Sequence, residues 1–355
     1  MTVPIAKGVP MTPSMAESEL ELLLNVIRET AQITTSATAC ALVMDAEIPV
    51  SMEPELMLTS SGQLGAALRD FCRKLDTEPD AEETLRPPNK VAHYMARREI
   101  EAELRLAIQR DELSLFYQPI VDLQTGHIRC FEALLRWFHP TKGELRPAEF
   151  IPVAEETGVI VTLGNWITRQ AALACAQWPE DISVAVNLSP LQIKAPGAVL
   201  AIKQALRDAK LDPHRLELEV TESLFIQDSE QTAEFIKELS AEGVRFALDD
   251  FGTGYSSLSY IHKFPFSKIK VDRCFVSGDD VGPRAHAIIR AVAEMGRGLD
   301  MEIVAEGLEE QEQVETVRDA GCTLGQGYFF SRAVPDYLAA MLLAQDRDGD
   351  GLRAA

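Results

Sequence analysis

The sequence predicts an α/β fold: a modified (β/α)8 TIM-like barrel with an antiparallel first strand, preceded by a small, mainly helical amino-terminal segment. Three observations lead there. Strand-like and helix-like stretches alternate over about 240 residues, as they do in parallel β/α architectures. Eight strand candidates suit a closed barrel better than an open sheet. The first two candidates are joined by residues 122–128, too short a connection for a helical crossover between parallel strands, so that pair is expected to be antiparallel.

The elements follow in order. At 355 residues the chain exceeds one small domain and suits a large barrel with a smaller added segment. Residues 1–88 are acidic and irregular, with helical periodicity over 17–31 and 63–75 and a short strand candidate at 39–44. Residues 77–88 are acidic, end in Pro87-Pro88 and read as a linker, which places a regulatory or interaction segment at 1–88 and the barrel at 89–345. Over 91–110, Met95, Ile100, Leu104 and Ile108 form a helical stripe, suited to docking at the barrel's edge or to signalling between domains. Strand candidates follow at 114–121, 130–137, 183–188, 216–220, 245–248, 268–271, 302–305 and 324–330. Amphipathic stretches at 166–177, 198–209, 229–241, 284–298 and 310–320 lie between most of them. Residues 346–355 open like a calcium loop, Asp-Arg-Asp-Gly-Asp-Gly, but reach no glutamate at its twelfth position, so a disordered acidic tail is expected.

Composition narrows the function. A formal charge of -21 argues against binding a nucleic-acid polymer, which calls for a basic face. Any phosphate ligand would need metal ions or a few placed cationic side chains. The six cysteines are far apart and form no CxxC pair, which fits a reducing compartment. Residues 1–13 lack the basic and apolar regions of a signal peptide, and no apolar run has the length of a membrane span. A cytoplasmic location is expected.

The chemistry gathers at strand ends. Residues 247–257 read Ala-Leu-Asp-Asp-Phe-Gly-Thr-Gly-Tyr-Ser-Ser, and place Asp249 and Asp250 where a strand ends in a glycine-rich turn. Adjacent carboxylates repel unless a cation or a proton lies between them, so the pair either binds a hard divalent metal or has one pKa raised. Nearly every other strand delivers a polar group near its carboxyl end: Glu132, Asn187, Glu219, Lys270, Glu306 and Gln326. That is the end at which barrel enzymes build their sites. The oxygen donors Glu132, Asn187, Glu219, Asp249 and Asp250 suit Mg²⁺ or Mn²⁺ rather than zinc, since no histidine or cysteine shares the pattern. Two ions bridged by a shared carboxylate, for which Asp249 is the candidate, would stabilise the attacking and leaving oxygens of a phosphoryl displacement.

Several motifs in one order give this pattern a likeness. They are Tyr117-Gln118-Pro119-Ile120, Glu132-Ala133-Leu134-Leu135-Arg136, Val186-Asn187-Leu188-Ser189, Glu219-Val220-Thr221-Glu222-Ser223, the Asp249 to Ser257 loop, Lys270-Val271-Asp272-Arg273, Val304-Ala305-Glu306-Gly307-Leu308-Glu309 and Gln326-Gly327-Tyr328. Residues 91–330 thereby resemble the EAL-domain phosphodiesterases, which hydrolyse cyclic di-GMP to linear pGpG. The resemblance implies that Glu132, Asn187, Glu219 and Asp249 hold a first metal, with Asp249 shared and Asp250 reaching a second. It places Lys270 and Glu306 by the attacking water, with Glu306 a general base or metal-bound helper. Glu222 would steady the loop after Asp250, and Glu309 would support the site from behind. Gln118 and Arg136 would touch the dinucleotide, and Gln326 would stand at the rim of the metal site. A homodimer through the barrel is implied by the helix beginning over 256–262, against the alternative of a plain surface helix. Cys130, Leu188, Leu308 and Glu310 depart from the family's usual residues, and none removes a ligand. Residues 1–88 show no signature of the cyclase domain that often accompanies the family.

Two other functions compete with the phosphodiesterase. A barrel that binds cyclic di-GMP without cleaving it, signalling through its amino-terminal segment, would be expected to have lost ligands; none is lost. A glycosidase with paired carboxylates needs neither Lys270 nor Asn187 nor the 249–257 loop.

Overall fold

The structure is a computed structural model that describes residues 90–225, 230–252, 258–277, 282–349 and 351. The elements expected within 1–88, and residues 253–257 of the carboxylate loop, lie outside the described residues. The barrel belongs to a compact unit beginning at Ala96.

Eight strands close on themselves: β1 (Leu113–Asp122), β2 (Ile128–His139), β4 (Ser183–Asn187), β5 (Leu216–Thr221), β6 (Arg245–Phe251), β7 (Lys268–Val271), β8 (Glu302–Ala305) and β9 (Leu324–Gln326), which returns to β1. From β2 round to β9 neighbours run parallel, while β1 is antiparallel to both β2 and β9. The antiparallel start expected from the short 122–128 connection is therefore present. Two short strands lie outside the ring: β3 (Gly143–Leu145) extends β2, and β10 (Val334–Pro335) pairs with β1. The β2 to β3 turn is closed by His139, whose Nδ1 accepts the N–H groups of Thr141 and Lys142.

The chain enters through α1 (Lys90–Ala107), whose Leu104 and Ala107 are fully buried. Then come α2 (Pro147–Glu156), α3 (Val159–Cys175), α4 (Pro190–Lys194), α5 (Ala198–Ala209), α6 (Glu230–Ala241), α7 (Leu258–Lys263), α8 (Pro283–Gly298), α9 (Gln311–Asp319) and α10 (Asp336–Asp348). Three differences from the sequence expectation have local causes. Helix α2 was not anticipated; it starts with proline at its first turn, and Glu149 reaches back to accept the Arg146 N–H at 2.8 Å. The last strand stops at Gln326 instead of 330, because Gly327 turns the chain across Leu308, whose carbonyl accepts the N–H of Phe329. The acidic tail does not begin at 346: α10 runs to Asp348, and Asp346 is buried, accepting the Ile128 N–H at the start of β2.

Most of the core lies between the strands and the helices, and a separate small apolar cluster of Ile120, Cys130, Ala185, Val304 and Leu324 fills the barrel's interior. Strand side chains alternate faces, so residues two apart in a strand share a side. Two residues further toward the mouth from that interior tier stand Gln118, Glu132, Asn187, Glu306 and Gln326. On β1 the order is reversed, Gln118 preceding Ile120, because that strand runs the other way. The barrel thus has an interior tier that is largely apolar and, above it, a polar tier at the mouth.

Candidate active site

The polar tier is organised by one ammonium. Lys270 Nζ lies 2.7 Å from Glu306 Oε1, 3.0 Å from Glu219 Oε2, 3.1 Å from Asp249 Oδ1 and 3.5 Å from Glu132 Oε2, with only 1% of its side chain exposed. Burial works against its charge, but the surrounding carboxylates outweigh it and hold the ammonium pKa well above the ordinary lysine value. Glu132 is further tied by amides: Asn187 Nδ2 donates to Oε1 at 2.7 Å and Gln326 Nε2 to Oε2 at 2.6 Å. Burial would raise its pKa, yet Lys270 and these two donors hold it below the ordinary carboxylate value. Gln118 stands beside Gln326, its Oε1 accepting at 3.4 Å.

The other carboxyls move the opposite way. Burial and then Glu132 push Glu219 well above its ordinary value, and burial lifts Glu306 to about 7 against the pull of Lys270. Asp250 is raised by burial and by its neighbours Asp249 and Asp272. One lysine facing four carboxylates leaves an excess of negative charge that has to be met by protons or by cations.

Consecutive residues of a regular strand point to opposite faces, so Asp249 and Asp250 could not both serve one site without a local change. The change is a bulge. Between the Leu248–Ile269 and Phe251–Val271 pairs β6 has one residue more than β7, and Asp250 takes φ +55°. This brings Asp249, Asp250 and Glu306 together, each offering an oxygen within 4.8 Å of the others. Glu222, buried at the end of β5, accepts the Gly252 N–H at 3.3 Å and so grips the chain just after the bulge.

Above the tier opens a cleft of about 690 Å³, walled in part by Gln118, Glu132, Asp249, Lys270, Glu306 and Gln326. Glu309 is exposed and lines this cleft, so it stands on the wall instead of behind the cluster. Arg136 is not brought to the cluster: its Nε lies 3.5 Å from Glu144 of β3, and its guanidinium is 5.6 Å from the centroid of the Phe116 ring. Two wall residues carried no role in the sequence reading although both fell inside quoted motifs. Arg273 is an exposed cation on the wall, and Tyr328, 53% exposed, is covered by the Arg332 guanidinium at 4.0 Å. Position next to Lys270 and Gln326 was the available signal.

The donor set fits hard divalent cations. It is all oxygen, and its enclosed Glu219 Oε1, like the adjacent Gln326 Oε1, has no hydrogen-bond donor among the described residues. The neighbour of Glu219 is the Glu132 carboxylate, a partner only if one of the two is protonated. Asp249, Asp250 and Glu306 each offer an oxygen toward one position, while Glu132, Glu219 and Asp249 gather about the Lys270 ammonium and Asn187 is held against Glu132.

Fold and site together define a β/α-barrel protein whose acidic, lysine-centred cleft lies at the carboxyl ends of the strands. The chain belongs to the EAL domain family, whose model matches residues 101–333. It is 41% identical over 246 residues to the bifunctional diguanylate cyclase/cyclic di-GMP phosphodiesterase MucR of Pseudomonas aeruginosa, covering 68% of this chain and 36% of that protein. It is 40% identical over 247 residues to the cyclic di-GMP phosphodiesterase NbdA of the same species, covering 68% of this chain and 31% of that one. The chain spans about a third of the length of the curated relatives it matches, 31%, 30% and 37% of three of them. Among solved structures, a MucR phosphodiesterase in complex with c-di-GMP matches with a TM-score of 0.65 at 40% identity, over 68% of this chain and 99% of that one. The EAL enzyme Bd1971 in its cAMP- and cyclic-di-GMP-bound form matches with a TM-score of 0.68 at 26% identity, over 82% and 77% of the two chains. Among the described residues no helix is long and apolar enough to cross a membrane.

Proposed function

We propose that this cleft hydrolyses cyclic di-GMP to linear pGpG, using two divalent cations, Mg²⁺ or Mn²⁺. The observation that supports this best is the Lys270 cluster, in which four carboxylates surround one ammonium beneath an open cleft. A cyclic dinucleotide carries two phosphates, and an acidic cleft repels them unless cations are held there. Bound cations would supply a water of lowered pKa and charge neutralisation at the attacking and leaving oxygens. Glu132, Asn187, Glu219 and Asp249 are the proposed ligands of the first, and Asp249 and Asp250 of the second.

The remaining roles belong to the chain. Glu306, with its carboxyl near 7, is placed to take the proton of the attacking water, and Lys270 orients it. Glu222 holds the bulge through Gly252. Gln118 and Gln326 face the substrate from the cleft wall, and Glu309 stands on the same wall. Arg136, once released from Glu144, and Arg273 would meet phosphate oxygens through their forked donors. The protein is proposed to act in the cytoplasm, as a homodimer paired through the barrel at the helix containing α7.

The test is chromatography of cyclic di-GMP incubated with the pure protein and Mg²⁺ or Mn²⁺, beside a Ca²⁺ control and a binding titration. Metal-dependent pGpG is expected. Tight binding without product would replace this reading with that of a receptor signalling through residues 1–88.

A further inference from the structure

Below the catalytic tier the barrel holds a second ion pair that the proposed reaction does not use. Lys268 Nζ donates to Glu217 Oε1 at 2.7 Å, with 2% and 0% of the two side chains exposed. Each stands one strand period from its counterpart above, Glu217 before Glu219 on β5 and Lys268 before Lys270 on β7. Two rungs therefore join the same two strands. Those strands are not neighbours, since β6 lies between them. Between them on β6, Ala247 registers with Glu219 of the upper rung on one side and with Lys268 of the lower rung on the other, so both rungs span the inner face of β6. Strand β6 is the one whose bulge delivers Asp249 and Asp250.

We infer that Glu217 and Lys268 are a positioning pair for the site above them, fixing β5 and β7 across β6 and so the relative placement of Glu219, Lys270 and the bulged aspartates. The inference rests on the reading of the cleft as a metal-dependent phosphodiesterase. Stability alone does not account for the pair, because a buried ion pair is often no better than apolar packing of similar volume. Ala185, Val304 and Leu324 fill neighbouring positions of the interior with apolar groups. Nor does the pair supply net charge to the site: its charges cancel, and burial keeps the thiol of nearby Cys130 neutral by pushing its pKa to about 12. What it supplies is a directed bond. Glu217 Oε2 has no donor among the described residues, so Lys268 alone orients the carboxylate.

The test uses the full chain with Lys268→Met/Glu217→Gln, which removes both charges and leaves the net charge unchanged. Read out are thermal unfolding, Mn²⁺ affinity by direct titration, and kcat and KM for pGpG formation. The double variant is expected to fold, to bind Mn²⁺ roughly ten- to hundred-fold more weakly and to lose kcat by a similar factor, as partners of metal ligands do. KM for the dinucleotide should hold within about twofold, since the pair lies below the cleft. A folded double variant with wild-type Mn²⁺ affinity and kcat would overturn the inference. If the double variant does not fold, Glu217→Asp shortens the rung at unchanged charge: weakened Mn²⁺ binding supports the inference, and wild-type binding overturns it. A wild-type chain that neither binds Mn²⁺ nor forms pGpG would overturn the phosphodiesterase reading itself, a result distinct from a failure confined to the variants.

Discussion

Lys270 Nζ and Glu306 Oε1 are 2.7 Å apart, and the same ammonium is within 3.5 Å of Glu132, Glu219 and Asp249. Lys270→Met would leave buried Glu132, Glu219 and Asp249, and the partly exposed Glu306, without the ammonium they share. The metal-free variant should lose about 3–5 kcal/mol of stability, the cost of stripping one partner from a buried pair. Turnover should fall by roughly 10²–10⁴-fold. Denaturant unfolding with and without Mn²⁺ measures the first effect and pGpG formation the second; unchanged unfolding in metal-free buffer would contradict the ammonium's role.

The raised carboxyls set a pH dependence. Between the ordinary carboxylate pKa and about 7, Glu306 is protonated in the folded protein and ionised in the unfolded chain. The unfolded state then binds fewer protons, so stability falls as pH rises through that window. Glu219 and Asp250, also raised, act in the same sense. Glu132 is lowered, and its contribution changes only below the ordinary carboxylate range. The metal-free melting temperature should therefore drop from about pH 5 to 7.5, and Mn²⁺ should raise it more at the higher pH. A flat metal-free profile with no Mn²⁺ effect would count against the charge excess.

Glu222→Ala removes the acceptor of the Gly252 N–H just beyond the bulge. Because Gly252 is exposed and water can replace the lost acceptor, the cost should be that of an ordinary hydrogen bond, about 0.5–1.5 kcal/mol. Because the bond steadies the aspartates rather than the dinucleotide, kcat should fall more than KM rises. A variant with raised KM and unchanged kcat would place Glu222 elsewhere in the reaction.

Gly327→Ala puts a methyl group into the backbone of Leu308. Backbone cannot yield as a side chain can, so the Leu308 to Glu309 segment and Gln326 must shift. A loss of more than about 3 kcal/mol is expected, with Mn²⁺ affinity falling as the Gln326–Glu132 bond is disturbed. Circular dichroism melts and Mn²⁺ titration on one preparation report both.

Much of the polar tier was legible because strand periodicity alone assigns faces. Glu132, Asn187, Glu219 and Lys270 each occupy one inward position near a strand end, where Glu132 meets Asn187 and Lys270, and Lys270 meets Glu219. The bulge was not legible: a strict two-residue period would send Asp249 and Asp250 to opposite faces, and only the extra residue in β6 with Asp250 at φ +55° unites them. The Glu217–Lys268 rung escaped notice because its partners are 51 positions apart and either residue alone reads as a polar strand position. Asp346 was assigned to a tail on composition, whereas its carboxylate answers a buried backbone N–H at Ile128. Arg136 shares the inward face of Glu132, but the pleat carries it past the cluster to Glu144.

The most direct measurement compares the wild-type chain with Asp249→Asn, determining Mn²⁺ bound per chain and pGpG formed from cyclic di-GMP on the same samples. Asp249 is the proposed ligand common to both cations, so the variant should stay folded, lose bound Mn²⁺ and form no pGpG above background. Wild-type turnover by a folded Asp249→Asn protein would contradict the assignment of this cleft as the hydrolytic centre.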